Sequence, residues 1–149
     1  MKRVLAAVLL GFTASACAAA DKKAADTVHY RQSIMSVIGW NFQPMGAMVK
    51  GKTAWDANAF AMRAERLECL SQQLLEGFVN ASNNGGVETD AKADIWAHFD
   101  NFKSKLDDFI VETKALNEAA KTGDETKMKD QFRRTAESCK SCHDPYRAN

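Results

Sequence analysis

The sequence lacks several features that mark common protein classes. Its four cysteines, at positions 17, 69, 139 and 142 of 149 residues, are too few and too unevenly placed for a disulfide scaffold. Twenty Lys and Arg residues nearly balance 19 Asp and Glu residues. The chain therefore lacks the basic excess of a nucleic-acid-binding protein, and we predict no nucleic-acid partner. Only two prolines interrupt it, which favours helices over a strand-and-turn fold.

The first twenty residues have the three-part layout of a secretory signal peptide. A short basic start precedes an apolar run over residues 4–12, and small residues follow. The run is too short to span a bilayer as a membrane anchor. Acylation of Cys17 is an alternative, but Ala14 stands where lipoproteins usually carry a larger aliphatic residue. We predict that residues 1–20 are cleaved and that 21–149 form one periplasmic domain without a membrane segment.

Apolar residues recur in steps of three and four through the rest of the chain, which is the spacing of a helix face. Four such stripes are present, and they run over residues 28–49, 60–78, 95–116 and 128–146. Connections between them are mostly short. The pattern predicts an all-α fold, an antiparallel up-down-up-down four-helix bundle.

Residues that commonly cap or stop helices mark the predicted boundaries. Pro44 should kink or divide the first helix. The third helix is predicted to begin at Thr89 or Asp90 and to run to about Lys121. The other boundaries rest on Gly51, Asp56, the loop 80–86, Gly123 and Asp124.

The motif Cys139-Lys140-Ser141-Cys142-His143 is the most specific feature of the sequence. Cys139 and Cys142 fall on the core-facing stripe of the last helix, one turn apart. Two thiols at this spacing can bond the two vinyl groups of a haem, and the adjacent imidazole of His143 can reach the iron. The motif therefore predicts one covalently attached haem c.

Other uses of a Cys-x-x-Cys pair have less support. A structural zinc site needs four ligands, and Cys69, His29 and His98 lie on other helices without paired spacing. A thioredoxin-like redox pair belongs to a βαβ setting, which the sequence does not predict. Cys69 itself is either a small apolar residue or a thiol that cross-links a dimer.

A helical bundle with Cys-x-x-Cys-His-x-x-Tyr-Arg at its C-terminus resembles the class II c-type cytochromes, especially cytochrome c prime. The similarity extends over most of residues 21–149. It includes the segments Tyr30-Arg31-Gln32-Ser33, Gly46 to Gly51, Glu65-Arg66-Leu67 and Ile95-Trp96.

The resemblance implies a role for individual residues around the haem. Arg31 is a charged residue on the apolar stripe of the first helix, and either it reaches solvent from a helix end or it pairs with a haem propionate. In the resembled family an arginine here binds the propionate, and a polar residue, here Gln32, follows it. His143 would be the axial ligand. Arg147 would shield the same face of the haem, or it is an exposed charge near the chain end.

Met35 lies one turn after Arg31 and is either ordinary core filler or the residue that faces the iron opposite His143. If it does not bind iron, the resemblance implies a five-coordinate haem that takes small gases such as nitric oxide. If Met35 is the sixth ligand, the protein is a low-spin electron carrier. Turnover of nitric oxide or peroxide is a third option that no acid or base on this stripe supports. The resemblance further implies a homodimer through the first two helices, and redox proteins as partners.

Overall fold

The computed structural model describes residues 13–79 and 84–148, and within them the fold is all-α. Residues 1–12 of the predicted signal peptide lie outside the described residues, whereas residues 13–20 form the start of the first helix. No described helix is long and apolar enough to cross a membrane. The elements are α1 (Thr13–Val49), α2 (Ala57–Ser71), a 3₁₀ turn (Leu74–Gly77), α3 (Asp94–Ala97), α4 (Phe99–Lys121) and α5 (Glu125–Tyr146).

The four long helices bury the predicted stripes in one core. α4 packs against α5 and α2, and α1 packs against α2 and α5. Phe42 of α1 stacks on Phe132 of α5 with ring centroids 4.2 Å apart. Each long helix contributes side chains with no solvent exposure, among them Met45, Phe60, Leu67, Leu116 and Met128. The helix faces predicted from periodicity pack, but the buried face of α1 is rotated slightly, so that Met35, Phe42 and Val49 lie half-buried at its edge.

Pro44 does not divide α1, which continues through it to Val49. A proline nitrogen has no hydrogen, so the carbonyl of Trp40, four residues earlier, loses its helical donor. Arg63 of α2 replaces that donor, since its Nη1 donates to the Trp40 carbonyl at 3.3 Å. The neighbouring helix thus satisfies the group that the proline leaves unpaired.

The predicted caps at Gly51, Asp56, Gly123 and Asp124 are confirmed. Gly51 and Gly123 have φ of 67° and 68°, a conformation that glycine adopts without strain. The Asp56 side chain accepts from the Ala59 amide at 2.9 Å. The Asp124 carboxylate accepts from two amides in the first turn of α5, which satisfies donors that a helix start leaves free.

The predicted start of the third helix is wrong. Residues 88–93 are not helical, the short α3 begins at Asp94, and a break at His98 separates it from α4. Thr89 and Asp90 are good capping residues, but here they bind other partners. The Thr89 hydroxyl accepts from Arg31, and the Asp90 carbonyl accepts from the Ala148 amide at 2.7 Å. Tertiary contacts therefore override the local capping preference.

Candidate functional site

The two motif cysteines lie where the stripe of α5 predicts them. Cys142 is buried and Cys139 is half-buried, one helical turn apart, and both are free thiols. Burial raises the pKa of each thiol from 9.0 to about 11, and the neighbouring Cys142 adds to the effect on Cys139. Both sulfurs are therefore protonated at neutral pH in the haem-free fold.

His143 follows on the solvent side of α5 and lines a recess of about 240 Å³ with Asp144, Arg147 and Ala148. The imidazole is accessible, yet the atoms around it desolvate it enough to lower its pKa. The positive charge of Arg147 lowers that pKa further, and Asp144 opposes the shift. A neutral imidazole, the form that can donate a lone pair to a metal, is thus favoured.

Arg31 is a buried guanidinium without a carboxylate partner in residues 13–79 and 84–148. It is 3% exposed. Its Nη1 donates to the Gly77 carbonyl at 3.2 Å and its Nη2 to the Thr89 hydroxyl at 3.4 Å, while its buried Nε has no acceptor. Desolvation lowers the pKa of Arg31. Buried charges normally have a counter-charge, so Nε is a donor that an anionic group would satisfy.

Aromatic rings connect Arg31 with the helix that carries the motif. The guanidinium lies 5.3 Å from the ring centre of Phe78. Phe78 lies 4.7 Å from Phe102, and Phe102 lies 5.4 Å from Tyr146, both between ring centroids. Tyr146 is one turn beyond Cys142 in α5. The fold therefore places Arg31 at the end of the bundle where the Cys-x-x-Cys-His motif lies.

Gln32 and Met35 take different positions. Gln32 is exposed, and its Nε2 donates to the Glu88 carbonyl at 2.9 Å, so it is outside the buried cluster around Arg31. Met35 is half-buried and packs against the apolar core. Ile34 and Ile38, its neighbours in α1, are buried. Met35 thus lies at the edge of the apolar core.

Several residues of this region were not singled out by the sequence. Gly77 passes so close to Arg31 that a Cβ at this position would lie 2.6 Å from the Arg31 Cβ. Thr89 holds Arg31, and Asp90 holds Arg147 with Nη2 at 3.1 Å from its Oδ2. Only the capping character of Thr89 and Asp90 was visible in the sequence, and it pointed to a helix start.

Comparisons with known proteins agree with this geometry. The family model described as Cytochrome C' matches residues 26–147. The cytochrome c' of Halomonas halodenitrificans is 40% identical over 127 residues, which are 83% of this chain and 96% of that protein. The chain belongs to the cytochrome c′ family.

Solved structures of cytochrome c′ have the same four-helix bundle. Cytochrome c prime from Shewanella frigidimarina superposes with a TM-score of 0.80 at 40% identity, covering 85% of this chain and 97% of that one. A nitric oxide complex of a mutant cytochrome c prime from Alcaligenes xylosoxidans gives 0.73 at 34% identity, covering 83% and 95%. The predicted bundle is thereby confirmed. Members of the family are generally non-enzymatic, periplasmic haem proteins with covalent haem c.

The residues of this cytochrome c′ fit such a haem. Two free thiols stand one turn apart beside an imidazole, and among residues 13–79 and 84–148 the buried Nε of Arg31 has no acceptor, which a propionate carboxylate would supply. Within the described ranges, no cluster of three or more His, Cys, Asp or Glu side chains could hold a metal ion. In the described part of the chain, therefore, nothing matches the ligand set that a structural zinc site needs.

In the haem-free protein we expect Cys69 to react with iodoacetamide well before Cys139 and Cys142. Cys69 is exposed. Compared with a thiol of pKa 9.0, a pKa of about 11 lowers the thiolate fraction about 100-fold at neutral pH. The thiolate of higher pKa is intrinsically the better nucleophile, which recovers about half of this loss on a logarithmic scale. The motif cysteines should therefore react roughly tenfold more slowly than such a thiol. Peptide mapping after timed labelling gives the three rates. Equal rates at Cys69 and Cys139 would contradict the burial of the motif.

Proposed function

We propose that this chain is a periplasmic monohaem cytochrome c′ whose five-coordinate haem binds small uncharged gases such as nitric oxide. The observation that carries the proposal is the nitric oxide complex of the relative from Alcaligenes xylosoxidans, which shares the fold over 83% of this chain. The signal-peptide pattern of residues 1–20 supports export. Gas ligands and redox proteins are the proposed partners.

In this proposal the chain holds the haem through four side chains. Cys139 and Cys142 would hold it through two thioether bonds, and the imidazole of His143 would bind the iron. Arg31 would bind a propionate through Nε, which has no acceptor among the described residues, and the exposed Gln32 beside it would lie on the propionate side. When bound, the haem supplies an iron with an open position that accepts a diatomic ligand.

The apolar environment of Met35 supports selectivity for neutral ligands. Ile34 and Ile38 are buried beside it, and Met35 itself packs on the core. An anion bound beside these side chains would lose its hydration without gaining a partner, which is costly. A neutral diatomic pays no such cost. The stripe residues Met35, Ile38 and Phe42, which follow Arg31 in α1, carry no acid or base, and this favours binding over turnover.

The spin state of the iron tests the proposal. We expect the purified ferrous protein to give a high-spin absorption spectrum, and the ferric protein a high-spin EPR signal, because Met35 does not bind iron. The Met35→Ala variant should keep these spectra and bind nitric oxide at least as fast. A low-spin spectrum that disappears in Met35→Ala would instead establish Met35 as sixth ligand and the protein as an electron carrier.

A matched variant controls for the loss of methionine volume. Met48 also belongs to α1 and is 8% exposed. Met48→Ala removes the same atoms from the core without touching the region of Met35, and its spectra should equal those of the wild type. A change common to both variants would indicate general loosening of the core.

We further propose a homodimer through α1 and α2. The side chains of Val37, Trp40 and Met62 are 46%, 75% and 41% exposed, and all three belong to these helices. Arg63, the neighbour of Met62 in α2, donates to the carbonyl of Trp40 in α1. The exposed apolar side chains of the two helices therefore lie close together. Large exposed aromatic side chains are typical of interface centres.

The Trp40→Asp variant is expected to sediment as a monomer at a concentration where the wild type is a dimer, because a charge at an interface centre loses its hydration without a partner. Val111→Asp is the control, since Val111 is 63% exposed but lies on α4. Analytical ultracentrifugation measures both. A wild-type monomer, or an equal effect of Val111→Asp, would contradict the proposed interface.

A further inference from the structure

The segment Thr89–Ala91 contacts both arginines that flank the proposed haem site. The hydroxyl of Thr89 accepts from the buried Arg31. The next residue, Asp90, accepts from Arg147 through one oxygen, with Nε at 3.3 Å and Nη2 at 3.1 Å from Oδ2. Ala91 forms an isolated antiparallel bridge with Arg147. One short segment therefore contacts both Arg31 and Arg147.

Backbone hydrogen bonds hold this segment against the end of α5. The Lys92 amide donates to the Tyr146 carbonyl at 3.0 Å, and the Ala148 amide donates to the Asp90 carbonyl at 2.7 Å. These two bonds bracket Arg147 and fix its backbone. They leave the direction of its long side chain free, and the carboxylate of Asp90 is the acidic group that the guanidinium contacts.

The position of that guanidinium matters because Arg147 lines the recess of His143. The Arg147 amide donates to the His143 carbonyl at 2.9 Å, which stacks the two residues on successive turns. Both contribute to the wall of the recess of about 240 Å³. An Arg147 side chain released from Asp90 can swing into solvent, since its side chain is already 57% exposed. The recess would then lose part of its wall.

We propose that Asp90 is a positioning residue for the His143 side of the haem site: it holds the Arg147 guanidinium beside the imidazole and so restricts the orientation of His143. This inference rests on the proposed role of His143 as axial ligand. In this proposal the segment Thr89–Ala91 both connects α3 to the rest of the fold and positions Arg147.

The test is resonance Raman spectroscopy of the ferrous holoprotein, in which the iron–histidine stretching band reports directly on His143. We expect Asp90→Asn, which keeps the shape and the backbone bond, to lower the frequency of this band or to broaden it to the low-frequency side. Asp90→Glu should retain the wild-type band because its carboxylate can still pair with Arg147. A merely structural role would lower the unfolding temperature of Asp90→Asn without moving the band.

Two further variants make the outcome decisive. Asp130→Asn removes an exposed aspartate that pairs with Arg133 on the same helix as His143, and it should leave the band unchanged. Arg147→Gln should shift the band at least as far as Asp90→Asn does, and the double variant should equal Arg147→Gln alone, because Asp90 acts only through Arg147. Additive shifts, or a wild-type band in Asp90→Asn, would overturn the inference.

The inference can fail independently of the proposed function. If the wild type carries covalent haem and shows an iron–histidine band but Asp90→Asn leaves it unmoved, only the positioning role is refuted. If the wild type shows no such band, the assignment of His143 fails, and the positioning role fails with it.

Discussion

Replacing Cys139 and Cys142 together with serine is expected to abolish covalent haem attachment completely. Both sulfurs lie on one face of α5, at the spacing that bonding to a single haem edge requires. A serine oxygen does not form the corresponding thioether. The protein should therefore have the mass of the processed polypeptide alone under denaturing conditions, whereas the wild type carries the added mass of one haem. Intact-protein mass spectrometry measures this directly.

Cys69, which lies outside the motif, provides the matched control. Cys69 is exposed on α2, and Cys69→Ser should retain a full complement of haem. The single variants Cys139→Ser and Cys142→Ser should each keep at most one thioether bond and lose yield. Haem that stays covalently bound to the double variant would refute the attachment site, and so would a wild type without added mass.

The helices were predictable because the information that forms them is local. The stripe of α5 from Met128 to Tyr146 and the cap at Asp124 lie within one segment of sequence, and the structure has both. The same is true of Gly51, whose positive φ ends α1. Periodic burial and capping depend on neighbours a few residues away, which a single sequence contains.

The connection before α4 was not predictable for the opposite reason. Thr89 and Asp90 have the composition of a helix start, yet their partners are Arg31 and Arg147, 58 and 57 residues away in sequence. A hydroxyl or carboxylate can cap a helix or accept from a distant arginine, and the choice depends on the assembled fold. Local propensity cannot distinguish the two.

The environment of Arg31 was equally invisible. The sequence showed a charge on an apolar stripe, but not that Gly77 approaches its Cβ or that its ring neighbours are Phe78 and Trp96. These contacts join α1 to the 3₁₀ turn and to α3. They convert a residue with two open interpretations into a buried cation with one unused donor, which is a property that an experiment can test.

Replacing Arg31 with methionine is expected to change the free energy of unfolding with opposite sign in the holoprotein and in haem-free protein. With haem bound, the variant loses charge-assisted hydrogen bonds and leaves a propionate unpaired, at a cost of about 1.5–3 kcal/mol. Without haem, the 3% exposed guanidinium has no carboxylate partner in the described chain. Removing such a charge from an apolar site is then neutral or stabilising by about 1 kcal/mol or more.

Denaturant unfolding of four proteins measures the difference: the wild-type holoprotein and the Cys139→Ser/Cys142→Ser variant after extraction of non-covalently bound haem, each with and without Arg31→Met. Arg63→Met is the control, because Arg63 also has a buried Nε without a partner but lies on α2 against the Trp40 carbonyl. Arg63→Met should change the free energy of unfolding in the same direction with and without haem. If Arg31→Met destabilises both backgrounds equally, the energy of Arg31 comes from the protein contacts to Gly77 and Thr89 alone, and the propionate role is wrong. A reversal of sign for Arg31 but not for Arg63 can come only from a counter-charge that arrives with the haem.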